Sequence, residues 1–215
     1  MSRFTHLVLV PGHAVWNMSD DPVLDSSWFL KPFQNGEPHY FIEHIEAGVR
    51  VAAPDPAALL VFSGGATDRQ AGPRTEALGY WLIAERYGWW GSPDVRARAV
   101  LEECALDSFL NVQYSLHRFR DVCGAWPDRI TVCGWGFKRR RIAELHRAAL
   151  GWEKPFEYVA VNDPPNLELV KEREAETCAQ FEADPLGERF PIADKRKARV
   201  PLGYTLPAHW KSEIA

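Results

Sequence analysis

Apolar positions along the chain fall into short continuous runs of Val, Ile and Leu, each followed by a turn containing Gly or Pro and then by a segment of helical period. The runs 6–10, 58–62, 129–133 and 158–161 lead into Pro11-Gly12-His13, Ser63-Gly64-Gly65, Gly134-Trp135-Gly136 and Asn162-Asp163-Pro164-Pro165, and a weaker run covers 98–101. A strand that is apolar at consecutive positions is buried on both faces, which is the condition of a parallel sheet covered by helices. Between the runs, Ile42, Ile45, Val49 and Ala52 repeat at three- and four-residue intervals and predict a helix over 41–52. Further helices are expected over 73–87, with Pro73 in the first turn; over 107–123, opening on the capping pair Asp107-Ser108; and over 138–150, stopped at Gly151.

This βα rhythm predicts an α/β fold, a Rossmann-like three-layer sandwich with a mostly parallel central sheet. Residues 1–165 form its core, and 166–215 add a charged helix over 167–181 and a basic, Pro-containing tail on the same domain, expected to wrap the outside or remain partly mobile. Residues 17–39 lack periodicity and predict a long loop, of the kind that often covers a site.

Composition narrows the function classes. The 215 residues include 29 acidic and 25 basic ones, a net charge of −4, so no global charge recruits nucleic acid or an anionic membrane. The apolar stretch after the first residues is too short for a signal peptide or a membrane span, and a cytoplasmic location is expected. Four cysteines without a C-x-x-C pair suggest reduced thiols, and no His, Cys or carboxylate set stands at metal-ligand spacing.

In a parallel sheet the loops after the strands converge on one edge, the expected ligand crevice. Gly12, Ser63, Gly64, Gly65, Asp107, Ser108, Asn111 and Asp163 all fall in or just after such loops. Gly64 and Gly65 can turn backbone N–H groups toward a ligand, or can simply serve a tight turn. The run Lys138-Arg139-Arg140-Arg141 places cations at a helix start, where the dipole disfavours them unless an anion is bound. Rotation of the helix would otherwise send some of them to solvent or to the acidic helix beyond Glu168. Lys138, Arg139 and Arg140 are therefore candidate ligand contacts. His13, Glu76 and Glu103 are the candidate acids and bases. No nucleophile–base pair is legible.

Gly12 after the first strand, Ser63-Gly64-Gly65, Thr75-Glu76-Ala77, then Glu103 with Ser108 and Asn111, a strand and a basic helix start together resemble the YdcF/SanA/ElyC-like proteins over about residues 6–165. The chain departs from that pattern at Ala105 and Leu110, and at Phe137, where the family commonly has a His whose role His13 would take. Phe-Lys-Arg-x-Arg at 137–141 is similar to a fungal-type branch without a membrane anchor. The resemblance implies a Rossmann-like fold and S-adenosylmethionine as a possible ligand, with no established general activity. The expected function is an enzyme, a transferase or hydrolase, on an anionic small molecule: a nucleotide, a phosphorylated metabolite or S-adenosylmethionine. The alternative is a ligand-binding or regulatory protein without catalysis.

Overall fold

A computed structural model describes residues 4–19, 21–211 and 214. Residues 1–3, with which the N-terminal reading begins, and positions 20, 212, 213 and 215 of the expected loop and tail lie outside the described residues. In chain order, β1 (His6–Pro11) precedes a small ribbon of β2 (Val15–Trp16) and β3 (Trp28–Phe29), then α1 (Pro38–Ala52), β4 (Ala58–Ser63), α2 (Glu76–Arg86) and the single turn α3 (Pro93–Arg96). β5 (Ala99–Glu102), α4 (Ser108–Cys123) and β6 (Arg129–Trp135) follow, then a helical stretch over 136–149 whose last turn is α5 (Arg147–Ala149), β7 (Phe156–Asn162), α6 (Leu167–Ala183) and α7 (Ile192–Arg199).

The five long strands form one sheet in the order β5-β4-β1-β6-β7, parallel throughout. Every residue of β1 is buried. Leu7 and Leu9 belong to the core layer that contains Leu116 and Phe119 of α4, while Val8 and Val10 belong to the opposite layer with Ile45 and Val49 of α1. Complete burial of such a side chain contributes about 1.5–3 kcal/mol, so the continuous apolar run is held from both sides. The fold is an α/β, Rossmann-like three-layer sandwich.

Several boundaries differ from the pattern, each for a local reason. α2 begins at Glu76 rather than Pro73, because Thr75 caps it by accepting the Leu78 N–H at 3.1 Å. Thr75→Ala should cost about 1 kcal/mol, read as a lower midpoint in chemical denaturation. The expected helix 138–150 is not uniform: a 3₁₀ turn covers Gly136–Lys138 and a π-helical segment covers Arg141–His146, with the Arg147 N–H reaching back to Ile142 O. The expected loop 17–39 contains β3 and two 3₁₀ turns.

The tail packs on the same domain. α7 lies against the start of α4, held by Arg196 Nε to Asp107 at 2.6 Å and by Arg199 Nη1 donating to Leu106 O at 2.6 Å. α6 buries Glu174, Cys178 and Phe181. No helix among the described residues is long and apolar enough to cross a membrane.

Candidate functional site

Because β4 and β5 lie on one side of β1 and β6 and β7 on the other, the loops leaving β1 and β6 part in opposite directions and open a crevice at their carboxyl ends. A cavity of about 540 Å³ occupies this position. Its floor includes Gly12, His13, Trp135 and Lys138, and its walls come from 29–37, the first turns of α4, the π-helical segment, α6 and α7.

The two glycine turns serve a purpose other than exposing amides. The Gly64 N–H donates to Glu102 O at 2.9 Å and the Gly65 N–H to Ala105 O at 2.8 Å, so neither is available to a ligand. A Cβ on Gly12 would stand 2.5 Å from Glu76 Cβ, and one on Gly64, whose φ is +151°, would stand 2.5 Å from Glu76 Oε2. Both glycines therefore let the first turn of α2 press onto the strand ends and seat the Glu76 carboxyl at the cavity. Thr67 Oγ1 donates to that carboxyl, and burial raises its pKa. It is held closer to the neutral form than an exposed glutamate.

Once ion pairs among the described residues are set aside, four cations and the carboxyls of Glu37, Glu76 and Glu176 remain at the cavity. Lys31 pairs with Asp68, Arg141 with Glu174, and Arg196 secures Asp107. Among the described residues, Lys138, Arg173, Lys195 and Arg199 line the cavity with no carboxylate at ion-pair distance. Glu37, the buried carboxyl in the opposite wall, is pushed up to about 7 by desolvation. Lys138 Nζ sits 3.4 Å from His13 Nδ1, and its pKa is lowered to about 8 by burial and by the neighbouring Arg141. Burial, then Lys138, hold His13 well below the usual imidazole range, so Nδ1 accepts from the lysine. The His13 ring packs against Phe41, His44 and Trp135, and its buried Nε2 has no hydrogen-bond partner.

A second cluster forms where α4 meets the π-helical segment. Ser108 Oγ lies 2.8 Å from His146 Nε2 and accepts from Arg141 Nη1, also at 2.8 Å. On an α-helix, side chains three or four apart share a face. With i→i+5 hydrogen bonding the turn is wider, and residues five apart come to the same side. Arg141 and His146, at the two ends of the π-helical segment, thus both reach Ser108.

Of the sequence-derived candidates, Gly12, His13, Glu76, Asp107, Ser108, Asn111 and Lys138 line the cavity. The others do not. Ser63 is fully buried and donates to Glu102, the inward neighbour of Glu103. Glu103 is exposed and accepts from Thr75 Oγ1 at 2.7 Å. Asp163 accepts the Phe137 N–H at 2.8 Å, capping the 3₁₀ turn. Arg140 is exposed and paired with Glu182, and Arg139 lies over the Tyr158 ring. Arg141 closes the basic run noted in the sequence and does line the cavity, whereas Glu37, His146 and the cations of α7 were not singled out by pattern: the fold brings Glu37, Lys195 and Arg199 to the cavity and the fully buried His146 to Ser108. The four cysteines are free thiols, Cys133 and Cys178 buried. No group of three or more His, Cys, Asp and Glu among the described residues could hold a metal ion.

A protein of Saccharomyces cerevisiae described as uncharacterized protein YOR238W is 25% identical, over 96% of this chain and 87% of its own length. The likeness therefore spans the sheet and the C-terminal helices together. No protein-family model and no solved structure matches the chain.

Proposed function

We propose that the protein is an enzyme that binds an anionic small molecule in the crevice between β1 and β6. The observation that carries this reading is the set of cavity cations without a carboxylate partner, Lys138 and Arg199 inside and Arg173 and Lys195 at the exposed edge. Unpaired cations in a concave, partly desolvated site draw anions by charge and by hydrogen bonds that water satisfies less well there. Of the carboxyls that oppose this field, Glu37 and Glu76 are raised by burial and Glu176 lies on the exposed part of the lining. A phosphorylated metabolite or a nucleotide fits the cationic set. S-adenosylmethionine, implied by the YdcF-like resemblance, belongs in the same panel, with its carboxylate on the cations and its sulfonium toward the acidic wall.

Isothermal titration with sulfate, nucleotides, phosphate esters and S-adenosylmethionine tests the reading. Lys138→Ala should weaken anion binding by about tenfold or more, in line with loss of a charge-assisted hydrogen bond of about 1.5–3 kcal/mol. Unchanged affinity in that variant, or no binding by the wild type, would overturn the proposal. Sulfate keeps its charge near neutrality and so isolates the protein's own titration. As pH rises through about 7, Glu37 gains negative charge, and through about 8 Lys138 loses positive charge. Sulfate affinity should fall across both steps, and a rise would contradict the assignment.

A further inference from the structure

The geometry assigns a nucleophile to this cavity: we infer that Ser108 attacks the phosphorus of a bound phosphoester, with His146 as its general base and Arg141 steadying the developing charge. Substrate choice rests on the anion-binding reading above, while the nucleophile rests on the three side chains themselves.

Ser108 is the first residue of α4, lines the cavity and makes two contacts with defined directions. Arg141 has no acceptor, so it donates to Ser108 Oγ, and the serine proton is directed at His146 Nε2. A lone pair of Oγ remains for attack. His146 is completely buried, and its ring stands edge-on to Phe181 at 4.5 Å and to Phe109 at 5.6 Å between centroids. Aromatic packing fixes the imidazole plane here, one of the tasks a carboxylate performs in other serine–histidine pairs, while the buried Nδ1 has no hydrogen-bond partner. Burial, Arg141 and Arg196 keep the imidazole neutral, so Nε2 is free to take the proton. An anion beside Arg141 offsets the guanidinium's share of the repulsion that the imidazolium would meet, while burial, the larger cause, stays in place.

The π-helical segment is the second, independent observation. Insertions of this kind interrupt a regular helix at a cost and frequently mark functional sites. Here the widened turn is what puts a guanidinium and an imidazole on one serine. A guanidinium matches the oxygens of a phosphoryl group, whereas an acyl oxyanion is more often met by amides.

The steps balance without further reagents. Ser108 Oγ forms a bond to phosphorus as its proton passes to His146 Nε2. The bond to the leaving oxygen breaks, and that oxygen takes the proton from the imidazolium. Water then attacks the phosphoserine, gives its proton to His146, and Ser108 leaves and recovers a proton from the same nitrogen.

Diisopropyl fluorophosphate is neutral and forms a stable phosphoryl ester on an activated serine with loss of fluoride. Incubation of the full chain, followed by peptide mass mapping, should show the adduct on Ser108. Its formation should slow by at least about a hundredfold in His146→Gln and should slow in the wild type when sulfate is present. No adduct, or one on another serine, overturns the nucleophile, and the wild-type map decides this even if His146→Gln does not fold. Labelling at Ser108 that sulfate leaves unchanged, with sulfate binding intact by calorimetry, overturns the phosphoester assignment alone. Loss of sulfate binding itself in the wild type overturns the anion reading.

Discussion

Arg141→Met should destabilise the protein by about 3–5 kcal/mol, the range for leaving one member of a buried ion pair without its partner. Arg141 Nε and Nη2 reach the two oxygens of Glu174 at 2.7 and 2.8 Å, and both side chains are only 10% exposed. Methionine fills comparable space but strands the carboxylate between α6 and the π-helical segment. Urea unfolding should show a lower midpoint at an unchanged slope. Arg141→Met combined with Glu174→Leu removes both charges and should recover most of the loss, since well-packed apolar pairs often replace buried ion pairs without penalty. A loss below about 1 kcal/mol in the single variant would put the pair in the class of surface bridges and contradict its burial.

Gly64→Ala should cost about 2–4 kcal/mol, because two penalties coincide: a backbone conformation that L-residues rarely adopt and a methyl 2.5 Å from Glu76 Oε2. Gly12→Ala should cost about 1–3 kcal/mol through steric overlap with Glu76. Adding Glu76→Ala to either variant removes the carboxylate but leaves its Cβ, so only part of the stability returns. Complete recovery in the Gly64→Ala background would mean that its backbone is not strained. The four chains are compared by the same urea titrations.

These variants also show what pattern could and could not reveal. β1, β4 and β6 were legible because both of their faces are buried, which leaves an apolar run that no surface element imitates. The meeting of Gly12, Glu76, Ser108, Asn111 and Lys138 was legible for a topological reason, since parallel strands deliver their loops to one edge. Orientation within a loop or helix was harder. Glu102 and Glu103 are neighbours at a strand end where direction alternates, and the inward one is Glu102, paired in register with Ser63. The basic run 138–141 enters through a 3₁₀ turn and leaves through a π-helical segment, which turns Lys138 and Arg141 inward and Arg140 out. No regular helical period describes such a segment. α7 lacked an apolar stripe and buries a single aliphatic anchor, Ile192; its hold on the fold comes from Arg196 and Arg199.

That last helix has a consequence for how the protein is made. The crevice needs Gly12 from just after the first strand and Lys195 and Arg199 from α7, positions separated by most of the chain. Chains are synthesised from the N-terminus at about 5–20 residues per second, and domains form as their segments emerge. The five-stranded sheet is complete in sequence once β7 has emerged, but the cavity still lacks the walls supplied by α6 and α7. A nascent chain arrested after β7 would carry the scaffold without the pocket, so ligand capture becomes a report that translation has run through to α7.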